Sequence, residues 1–538
     1  MLRLMFVFFL VNALSTFPSW ISSGLEISFI ISLEAMSIVG FVGLLPRGLL
    51  SRQISYFISF LFVLLVLVVL GDAICQLALG RLLNLYLDVF LLRSIYELLI
   101  TNVGLLSTLV ILASLVITTF LLVIVLGRLF NPNRTRKKGM LVTGFHLVLL
   151  IVGGMGIYGV SLPVSADRID TPLVRVTVQQ TQHFMRMLNE KEKFIDEIEA
   201  NVGNSGNQNT DLDKIRGGDV FLGFIESYGV SAVFDEPYRS VVMPRLVDFG
   251  IRMETAGLKV VSGTLLAPSQ GGQSWYGHAS LLSGLWIDNQ LRYDLLLAEK
   301  PNTLVDDFRE AGYETVALMP AITRAWPEGQ RFGYDQIYSF ENIDYAGPPL
   351  NWVTMPDQFT WSFLQNTIRT IHGVERPLFV ELSLISSHAP WTPIIPVYDD
   401  WGAIGDGEMF NEWEKTGPTP RELWSNHENV KEYYGLSLEY AINAMVGFVE
   451  HYLKGRDMLI VLGDHQAAPL ITGEDASKAV PIHVISKDQS LLAPLLDYGF
   501  VPGSIPPDSL DDIQGMDTFR RMFLDVFSSS RESNRASN

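Results

Sequence analysis

Long apolar runs occupy the start of this chain, and shorter apolar segments alternate with polar ones in the rest. Five mostly apolar runs lie before residue 165, at residues 2–19, 25–45, 54–75, 103–126 and 140–160. Each run is close to the roughly 20 residues that an α-helix needs to cross a hydrocarbon core. We therefore predict a multi-span α-helical membrane domain over residues 1–165, with one transmembrane helix for each run. Because the first run begins at the N-terminus, a cleaved signal peptide is the alternative there, but no small-x-small cleavage site precedes the second run, which favours a retained helix.

Basic residues between the runs predict the orientation of these helices. Arg47 and Arg52 lie between the second and third runs, and the basic stretch 134–138 lies between the fourth and fifth. Loops rich in Lys and Arg stay on the cytoplasmic side of a membrane. Everything after residue 160 then faces outward. We predict a multi-pass protein of the bacterial inner membrane with a periplasmic or extracellular second half.

After residue 165 the pattern changes twice. Residues 175–199 have helical spacing and mixed charge, and the Asn- and Gly-rich tract 201–209 indicates a flexible linker, so residues 166–210 are predicted to be a connector. From residue 211 apolar strand-like segments alternate with helical patterns, which is typical of an α/β domain with a mostly parallel central sheet, here residues 211–538. The predicted strands lie at 219–225, 259–265, 315–318, 378–385, 458–462 and 481–485, and the predicted helices at 239–254, 275–283, 303–311, 358–371 and 436–453.

Composition narrows the class of protein. The 538 residues are 48% hydrophobic and only 18% charged, which is too apolar for an ordinary soluble enzyme of this size. Residues 166–538 carry 29 basic and 52 acidic side chains, a net charge of −23. An acidic exterior domain repels nucleic acid, so nucleic-acid binding is excluded as a function. The single cysteine, Cys75, lies in the third apolar run, so no disulfide forms within the chain.

Three short polar segments carry the chemistry. They contain Glu226 in 224–229, Ser274 in 270–274, and Asp464 with His465 in 462–465. Two carboxylates, a hydroxyl and an imidazole form a mixed oxygen and nitrogen set that suits one divalent metal ion, Mn or Zn. Such an ion activates a serine hydroxyl, which is otherwise a weak nucleophile, and neutralises charge on a phosphoryl or sulfuryl group.

The predicted secondary structure brings these segments together. Glu226, Asp464 and His388 each follow a predicted strand, and ligands collect at the carboxyl ends of strands in such sheets. Ser274 follows two glycines and precedes a predicted helix, where free backbone N–H groups favour a bound anion. We therefore expect one shared site at this edge of the sheet.

The order of these segments resembles the sulfatase-like branch of the alkaline phosphatase superfamily over about residues 218–487. The most similar members are membrane-anchored: lipoteichoic acid synthases, phosphoglycerol transferases and phosphoethanolamine transferases. The resemblance implies that Glu226, Ser274, Asp464 and His465 bind the metal, that Ser274 is the nucleophile, and that His388 handles substrate. It also implies a phospholipid donor and an envelope glycan or glycolipid acceptor.

The chain departs from the family pattern at two points. The lipid-phosphate transferases more often use Thr where this chain has Ser274, so the hydroxyl is kept but the subfamily is left open. Formylglycine sulfatases need Cys/Ser-x-Pro-x-Arg, and residues 274–278 read Ser-Trp-Tyr-Gly-His. The absence of both Pro and Arg argues against a sulfatase of that type.

Four further residues are weaker candidates. His278 lies one helical turn after Ser274 and is either a substrate contact or a helix-surface residue. Arg324 and Trp326 follow a predicted strand and either bind an anionic head group or form an ordinary exposed loop. His483 lies inside a predicted strand, where a histidine with satisfied hydrogen bonds in the core is the more common case.

The sequence therefore favours a membrane-anchored, metal-dependent phosphotransferase. It would move a phosphoglycerol or phosphoethanolamine head group from a phospholipid through a covalent intermediate on Ser274 to a glycan or glycolipid. One alternative is a hydrolase of the same fold that cleaves a phosphate or sulfate ester with water. The other is an inactive envelope protein that only binds glycan.

Overall fold

The computed structural model describes residues 2–22, 30–46, 48–89, 92, 95–96, 99–100, 103–131, 140–159, 169–205, 210–372, 376–509 and 511–529. The chain divides into two compact units, Met1–Glu190 and Lys191–Asn538. Each unit has a hydrophobic core of its own. The predicted order of a helical part followed by an α/β part is confirmed.

The first unit is built from apolar helices. Its described helices are α1 (Leu2–Ser22), α2 (Leu33–Leu44), α3 (Leu49–Leu79), α4 (Leu85–Asp88), α5 (Leu105–Phe130) and α6 (Met140–Ile157), with α7 (Pro172–Ser205) following. Three of them, α3, α5 and α6, are long and apolar enough to cross a membrane, and they coincide with the third to fifth predicted runs. The first two runs contain the shorter apolar segments Arg3–Pro18 and Leu33–Leu44. Arg47 and the basic stretch 134–138, on which the predicted orientation depends, lie outside the described residues.

Close packing and one capping contact hold this helical unit together. A Cβ atom on Gly43 of α2 would lie 1.5 Å from the ring of His146 on α6, so these two helices approach each other where a side chain is missing. Near the N-terminus of α1, the Arg3 guanidinium donates hydrogen bonds at 2.9–3.1 Å to three carbonyl oxygens at the end of α5, those of Arg128, Leu129 and Asn131. A cation at the carbonyl end of a helix satisfies acceptors that lack partners within the helix.

The connector is more helical than the sequence indicates. Helix α7 runs through Ser205, so the prediction of a flexible linker at 201–209 is wrong for residues 201–205, while residues 206–209 lie outside the described residues. Phe194 and Ile198 of this helix are buried in the core of the second unit. Asn201 donates a hydrogen bond of 2.9 Å to the Gly284 carbonyl. The burial of one helical face therefore stabilises the helix through residues 201–205, where composition alone indicates a loop.

In the first unit β1 (Ile31–Ser32) pairs with β2 (Ile169–Asp170). The strands of the second unit are β3 (Val220–Ile225), β4 (Lys259–Leu266), β5 (Glu314–Met319), β6 (Gln336–Ser339), β7 (Leu378–Leu384), β8 (Met458–Gly463), β9 (Ala479–Ser486) and β10 (Val501–Pro502). Among the described residues they form an eight-stranded sheet in the order β10-β4-β9-β8-β3-β7-β5-β6. Strands β8, β3, β7, β5 and β6 pair in parallel, whereas β9 is antiparallel to both β8 and β4, and β10 to β4. The prediction of a mostly parallel sheet is confirmed. The apolar pattern of the sequence does not show that β9 and β10 run antiparallel to their neighbours.

Helices and short turns cover both faces of this sheet. They are α8 (Val230–Phe234), α9 (Arg239–Thr255), α10 (Ser274–Ser283), α11 (Gln290–Glu299), α12 (Leu304–Glu310), α13 (Pro327–Phe332), α14 (Asp357–Phe363), α15 (Arg369–His372), α16 (Pro420–Leu423), α17 (His427–Tyr452), α18 (Pro469–Thr472), α19 (Gln489–Leu492) and α20 (Phe519–Phe527), with a π-helical stretch at Leu364–Ile368 and 3₁₀ turns at Asp213–Ile215, Phe340–Asn342, Trp401–Ile404, Glu408–Trp413, Ala493–Tyr498 and Met516–Thr518. One core packs α9, α14 and α17 on one face, and a second packs α10, α11, α12 and α20 on the other. Strands β3 and β8 are buried along their whole length, which explains their continuous apolar sequences.

Strand register aligns the polar segments. Ile225, the last residue of β3, pairs with Gly463 of β8 on one side and with Leu384 of β7 on the other. Neighbouring strands lie about 4.8 Å apart, so the residues that follow these three are side by side at one edge of the sheet. Glu226 and Asp464 are two of those residues.

Candidate metal and nucleophile site

Glu226 and Asp464 are fixed by backbone contacts across the ends of β3 and β8. The Glu226 amide donates to the Leu384 carbonyl at 2.9 Å, and the Asp464 amide donates to the Ile225 carbonyl at 3.2 Å. One carboxylate oxygen of Asp464, Oδ1, accepts from the amides of Ser227 and His465, both at 2.7 Å. Its other oxygen, Oδ2, lies 3.6 Å from His465 Nε2. Asp464 therefore orders the turn with one oxygen and presents the other to the site.

The imidazole of His465 has the orientation that is usual for a metal ligand. Its Nδ1 lies 3.0 Å from the Gln466 carbonyl oxygen, so Nδ1 carries the proton and donates it. That leaves Nε2, which is buried and makes no hydrogen bond among the described residues. Nε2 lies 3.3 Å from Glu226 Oε1. A backbone carbonyl that fixes one ring nitrogen while the other faces carboxylates is the usual arrangement behind a metal-binding histidine.

These groups fit a divalent cation. Ligand atoms of Glu226, Asp464 and His465 all lie within 4.8 Å of one another. A buried polar atom without a hydrogen bond is costly, and the unpaired Nε2 of His465 acquires a partner if a cation sits between it and the two carboxylates. The donor set of carboxylate oxygens, imidazole nitrogen and a nearby hydroxyl suits Zn or Mn.

The electrostatics of the three groups are coupled by proximity. Burial is the largest single influence on Glu226 and opposes its ionisation, but the charges of His465 and His388 and the hydrogen bonds to the carboxylate together outweigh burial and lower the pKa of Glu226. Burial, together with repulsion by Glu226, raises the pKa of Asp464. Burial of His465 is outweighed by the charges of Asp464 and Glu226, which raise the pKa of His465 to about 9. A bound divalent ion would take the position of the imidazolium proton, because metal binding requires a neutral imidazole.

Ser274 reaches the same site from α10. It is the first residue of that helix, and its Oγ lies 3.4 Å from Glu226 Oε2. The turn before it places Gly271, Gly272 and Gln273 at φ values of 72°, 143° and 63°. Only glycine adopts the left-handed region freely, so the two glycines allow this turn and Gln273 is held in it under strain. The turn is anchored by the Gly271 amide, which donates to the Gln466 carbonyl at 2.8 Å.

His388 lies close to Glu226 along the end of β7. The preceding Ser387 donates from Oγ to the Glu226 carbonyl at 2.6 Å, and the charge of His388 contributes to the lowered pKa of Glu226. The imidazole stacks on Trp352 with ring centres 4.6 Å apart, and its Nδ1 lies 2.6 Å from the Ala389 carbonyl oxygen. His388 also lines a cleft with Trp391. Its Nε2 is thus the nitrogen available to a ligand.

The weaker candidates have different surroundings. His278 stacks on Phe224 with ring centres 3.7 Å apart, and its Nδ1 lies 2.7 Å from Glu381 Oε1. Arg324 is exposed and Trp326 is half-buried against the second core, in the loop after β5. One strand, β7, lies between β5 and β3 in the sheet. His278 is therefore packed between α10 and the sheet, one helical turn after Ser274, while Arg324 and Trp326 lie in the loop after β5.

Sequence reasoning missed the residues that hold the site together. Ser227 adopts φ 58°, donates from Oγ to Glu226 Oε1 at 2.8 Å, and accepts at its carbonyl from the Tyr434 hydroxyl at 2.7 Å. Such long-range contacts leave no mark in the linear sequence. Glu381 could have been found, because a carboxylate in the middle of the apolar strand β7 must have a buried partner.

His483 occupies a separate, neutral environment. Its Nδ1 lies 2.7 Å from Ser262 Oγ and its Nε2 lies 3.1 Å from the Tyr228 hydroxyl. Burial lowers the pKa of His483 to about 3. The expectation of a satisfied core histidine agrees with these contacts.

Several solved structures are similar to this chain. The lipoteichoic acid synthase LtaP from Listeria monocytogenes is 9% identical with a TM-score of 0.40, over 59% of this chain and 74% of that one. The C-terminal periplasmic domain of EptC from Escherichia coli is 12% identical with a TM-score of 0.37, over 60% and 85%. The phosphoglycerol transferase GacH from Streptococcus pyogenes, solved with sn-glycerol-1-phosphate, is 15% identical with a TM-score of 0.36, over 62% and 90%.

No protein-family model matches the sequence, and neither does any curated protein. The similar structures include the kinds of protein that the sequence motifs resemble. Their identities and TM-scores are low, and they assign no activity to this chain.

Proposed function

We propose that this protein is a membrane-anchored, metal-dependent phosphotransferase of the sulfatase-like kind, with residues 211–538 as its catalytic part. The observation that carries the proposal is the meeting of Ser274 Oγ with Glu226, beside the buried and unpaired Nε2 of His465. A serine nucleophile at a helix N-terminus next to a cation site is an arrangement for attack on an anionic ester. Glu226, Asp464, His465 and Ser274 would hold the ion, Mn or Zn, which when bound supplies charge neutralisation and activation of the hydroxyl.

The reaction proceeds by two displacements at phosphorus. In the first, Ser274 Oγ attacks the phosphodiester of a phospholipid, the Oγ–P bond forms, and the P–O bond to diacylglycerol breaks. The serine proton is lost and diacylglycerol leaves with a proton on its oxygen. In the second, an acceptor hydroxyl attacks the same phosphorus, the Oγ–P bond breaks, and Ser274 regains its proton. The head group, phosphoglycerol or phosphoethanolamine, ends on a cell-envelope glycan or glycolipid.

Residues around Ser274 would bind different parts of the substrate. The free N–H groups at the start of α10 favour the negative charge of the phosphoryl group. His388, through Nε2, steadies the oxygen that leaves or enters. Arg324 and Trp326, in the loop after β5, are proposed to contact the head group.

The apolar helices of the first unit favour a lipid donor. Three of the described helices are long and apolar enough to cross a membrane. A multi-pass anchor in the bacterial inner membrane, with the catalytic part outside, would keep Ser274 near lipid head groups and raise the local donor concentration.

The test is the intact mass of the full-length protein after incubation with Mn or Zn and single phospholipids. We expect an adduct with the mass of one head-group phosphate, located on Ser274 by peptide mapping and absent from Ser274→Ala. If the protein instead turns over a simple phosphate or sulfate ester rapidly with no acceptor and no lipid adduct, it is a hydrolase. If it neither binds metal nor turns over any ester, it is a binding protein and the proposal fails.

A further inference from the structure

A chain of three polar side chains, His278, Glu381 and Tyr334, begins one helical turn after Ser274 on α10. Glu381, in the middle of β7, has a side chain only 2% exposed. Its Oε1 lies 2.7 Å from His278 Nδ1, and its Oε2 accepts a hydrogen bond from the Tyr334 hydroxyl. Burial and the charge of Glu381 raise the pKa of Tyr334 well above its ordinary value, so the hydroxyl keeps its proton and donates it. Glu381 is therefore an acceptor on both oxygens, and His278 donates from Nδ1.

This arrangement fixes the imidazole on two sides. The ring of His278 stacks on Phe224 with centres 3.7 Å apart and planes 22° apart. With Nδ1 directed at Glu381, the remaining polar atom of the ring is Nε2. The side chain is still 15% exposed, although its neighbours Phe224 and Glu381 are almost completely buried.

The spacing along helix and strand puts that imidazole on the same helix face as the nucleophile. Ser274 and His278 are four residues apart on α10, a rise of about 6 Å on one helix face. Phe224 lies in β3 and Glu226 directly follows the strand. Because they are two residues apart, their side chains are on the same face of the sheet, separated by about 6.6 Å along the strand. Ser274 contacts Glu226 while His278 contacts Phe224, so the two pairs lie in matching layers. Helical side chains lean toward the N-terminus of their helix, which directs the imidazole toward Ser274.

We propose that His278 is a substrate-contacting residue: Glu381 holds its Nδ1 so that Nε2 meets an oxygen of the phosphoryl group carried by Ser274. Glu381 is the positioning residue, and Tyr334 holds Glu381. Nδ1 then donates its N–H to the carboxylate, and Nε2 is the ring atom that faces the phosphoryl oxygen. This inference rests on the proposed function, because it names a contact to the group that is transferred.

A purely structural role for Glu381 and His278 would give a different result when they are substituted. If Glu381 and His278 only anchor α10 to the sheet, removing either one lowers the melting temperature and affects substrate binding no more than any other loss of packing. If Glu381 acts by orienting His278, its effect on turnover disappears once the imidazole is gone. Non-additivity of the two substitutions therefore separates the two roles.

The experiment compares His278→Ala, Glu381→Gln and the double variant in the full-length protein with Mn. His451→Ala is the control, because His451 also directs Nδ1 to an oxygen, that of the Gly447 carbonyl one turn earlier on α17. The readouts are kcat and KM on bis(p-nitrophenyl) phosphate, metal content, and the rise in melting temperature on adding inorganic phosphate. His278→Gln, which keeps an amide donor, replaces His278→Ala if that variant does not fold.

We expect His278→Ala to lower kcat by about 100-fold, as loss of one donor to a developing charge does, and to lose the phosphate-dependent rise in melting temperature. Glu381→Gln should lower kcat by about 10-fold, the double variant should match His278→Ala, and metal content should stay at the wild-type level. Wild-type kcat and phosphate response in His278→Ala, or additive losses in the double variant, would overturn the inference. If the wild-type protein cleaves no phosphodiester yet its phosphate response depends on His278, the proposed function fails, and with it the contact to a group carried by Ser274. A phosphate contact through His278 alone would remain.

Discussion

Two histidines associated with neighbouring strands, His465 after β8 and His483 within β9, are equally buried but have opposite pKa shifts. Their exposed fractions are 0% and 1%. His465 leaves Nε2 without a hydrogen bond and faces two carboxylates, which raise its pKa to about 9. His483 has a hydroxyl at each nitrogen, and no charged group in the described part of the chain offsets its burial, so burial lowers the pKa of His483 to about 3.

The difference shows that burial alone does not identify a functional histidine. Ser262 donates from Oγ to the Gly503 carbonyl at 2.6 Å, so His483 Nδ1 donates to Ser262 and Nε2 accepts from Tyr228. Every polar atom of that imidazole is satisfied within the fold. At His465, by contrast, Nε2 lies close to the carboxylates of Glu226 and Asp464. A cation bound between these three groups would give each of them a partner.

The largest effect is expected from Asp464→Asn. The amide oxygen still accepts from the amides of Ser227 and His465, so the turn is kept, but the negative charge that faces His465 Nε2 is lost. We expect metal affinity to fall by more than about 100-fold and transfer to be abolished, measured by metal analysis and lipid turnover. Metal content and turnover equal to those of the wild-type protein would show that Asp464 is not a ligand.

Ser274→Ala should separate chemistry from metal binding. Glu226, Asp464 and His465 are unchanged in this variant, so metal binding is expected to weaken but persist, while transfer falls by at least about 1,000-fold because the nucleophile is gone. Metal analysis and turnover on the same preparation make the comparison. Normal transfer in Ser274→Ala would rule out the nucleophile assignment.

His388→Asn tests the imidazole on the other side of Glu226. It keeps a polar side chain beside Trp352 but removes Nε2, and we expect kcat to fall by about 10- to 100-fold at unchanged metal content. Steady-state kinetics with and without acceptor would show which displacement is slowed. An unchanged kcat in both conditions would leave His388 with only a role in ordering its loop.

The smallest effect should be a pH-dependent stability difference in His483→Gln. The folded-state pKa of His483, about 3, lies below its unfolded value, so between pH 6.5 and 3 the unfolded state binds a proton that the folded state does not. The wild-type protein should therefore lose about 2 kcal/mol from this group between pH 7 and pH 5, and the variant should not. Melting temperatures at both pH values make the test, with the exposed His451→Gln as control. The same decrease in all three proteins would contradict the account.

The sequence predicts more of this molecule where local patterns suffice. The runs that become β3, β8, α3, α5 and α6, and the four residues that meet at the site, are recognisable because strand ends, glycines and ligand types are local features. The antiparallel direction of β9 and the strand β6 depend on tertiary pairing. Ser227, Tyr434 and Ser387 act through contacts with residues 161 to 237 positions away, and two of these contacts go to backbone carbonyls. No local pattern encodes such contacts.

The most direct test of the central claim is the metal content of full-length wild-type protein, His465→Ala and His483→Gln, each purified identically and equilibrated with Mn or Zn. The two histidines are matched in burial, so unspecific loss of core packing affects both variants. We predict about one ion per chain in the wild-type protein and in His483→Gln, and almost none in His465→Ala. Equal metal content in wild type and His465→Ala would contradict a metal site built on Glu226, Asp464 and His465.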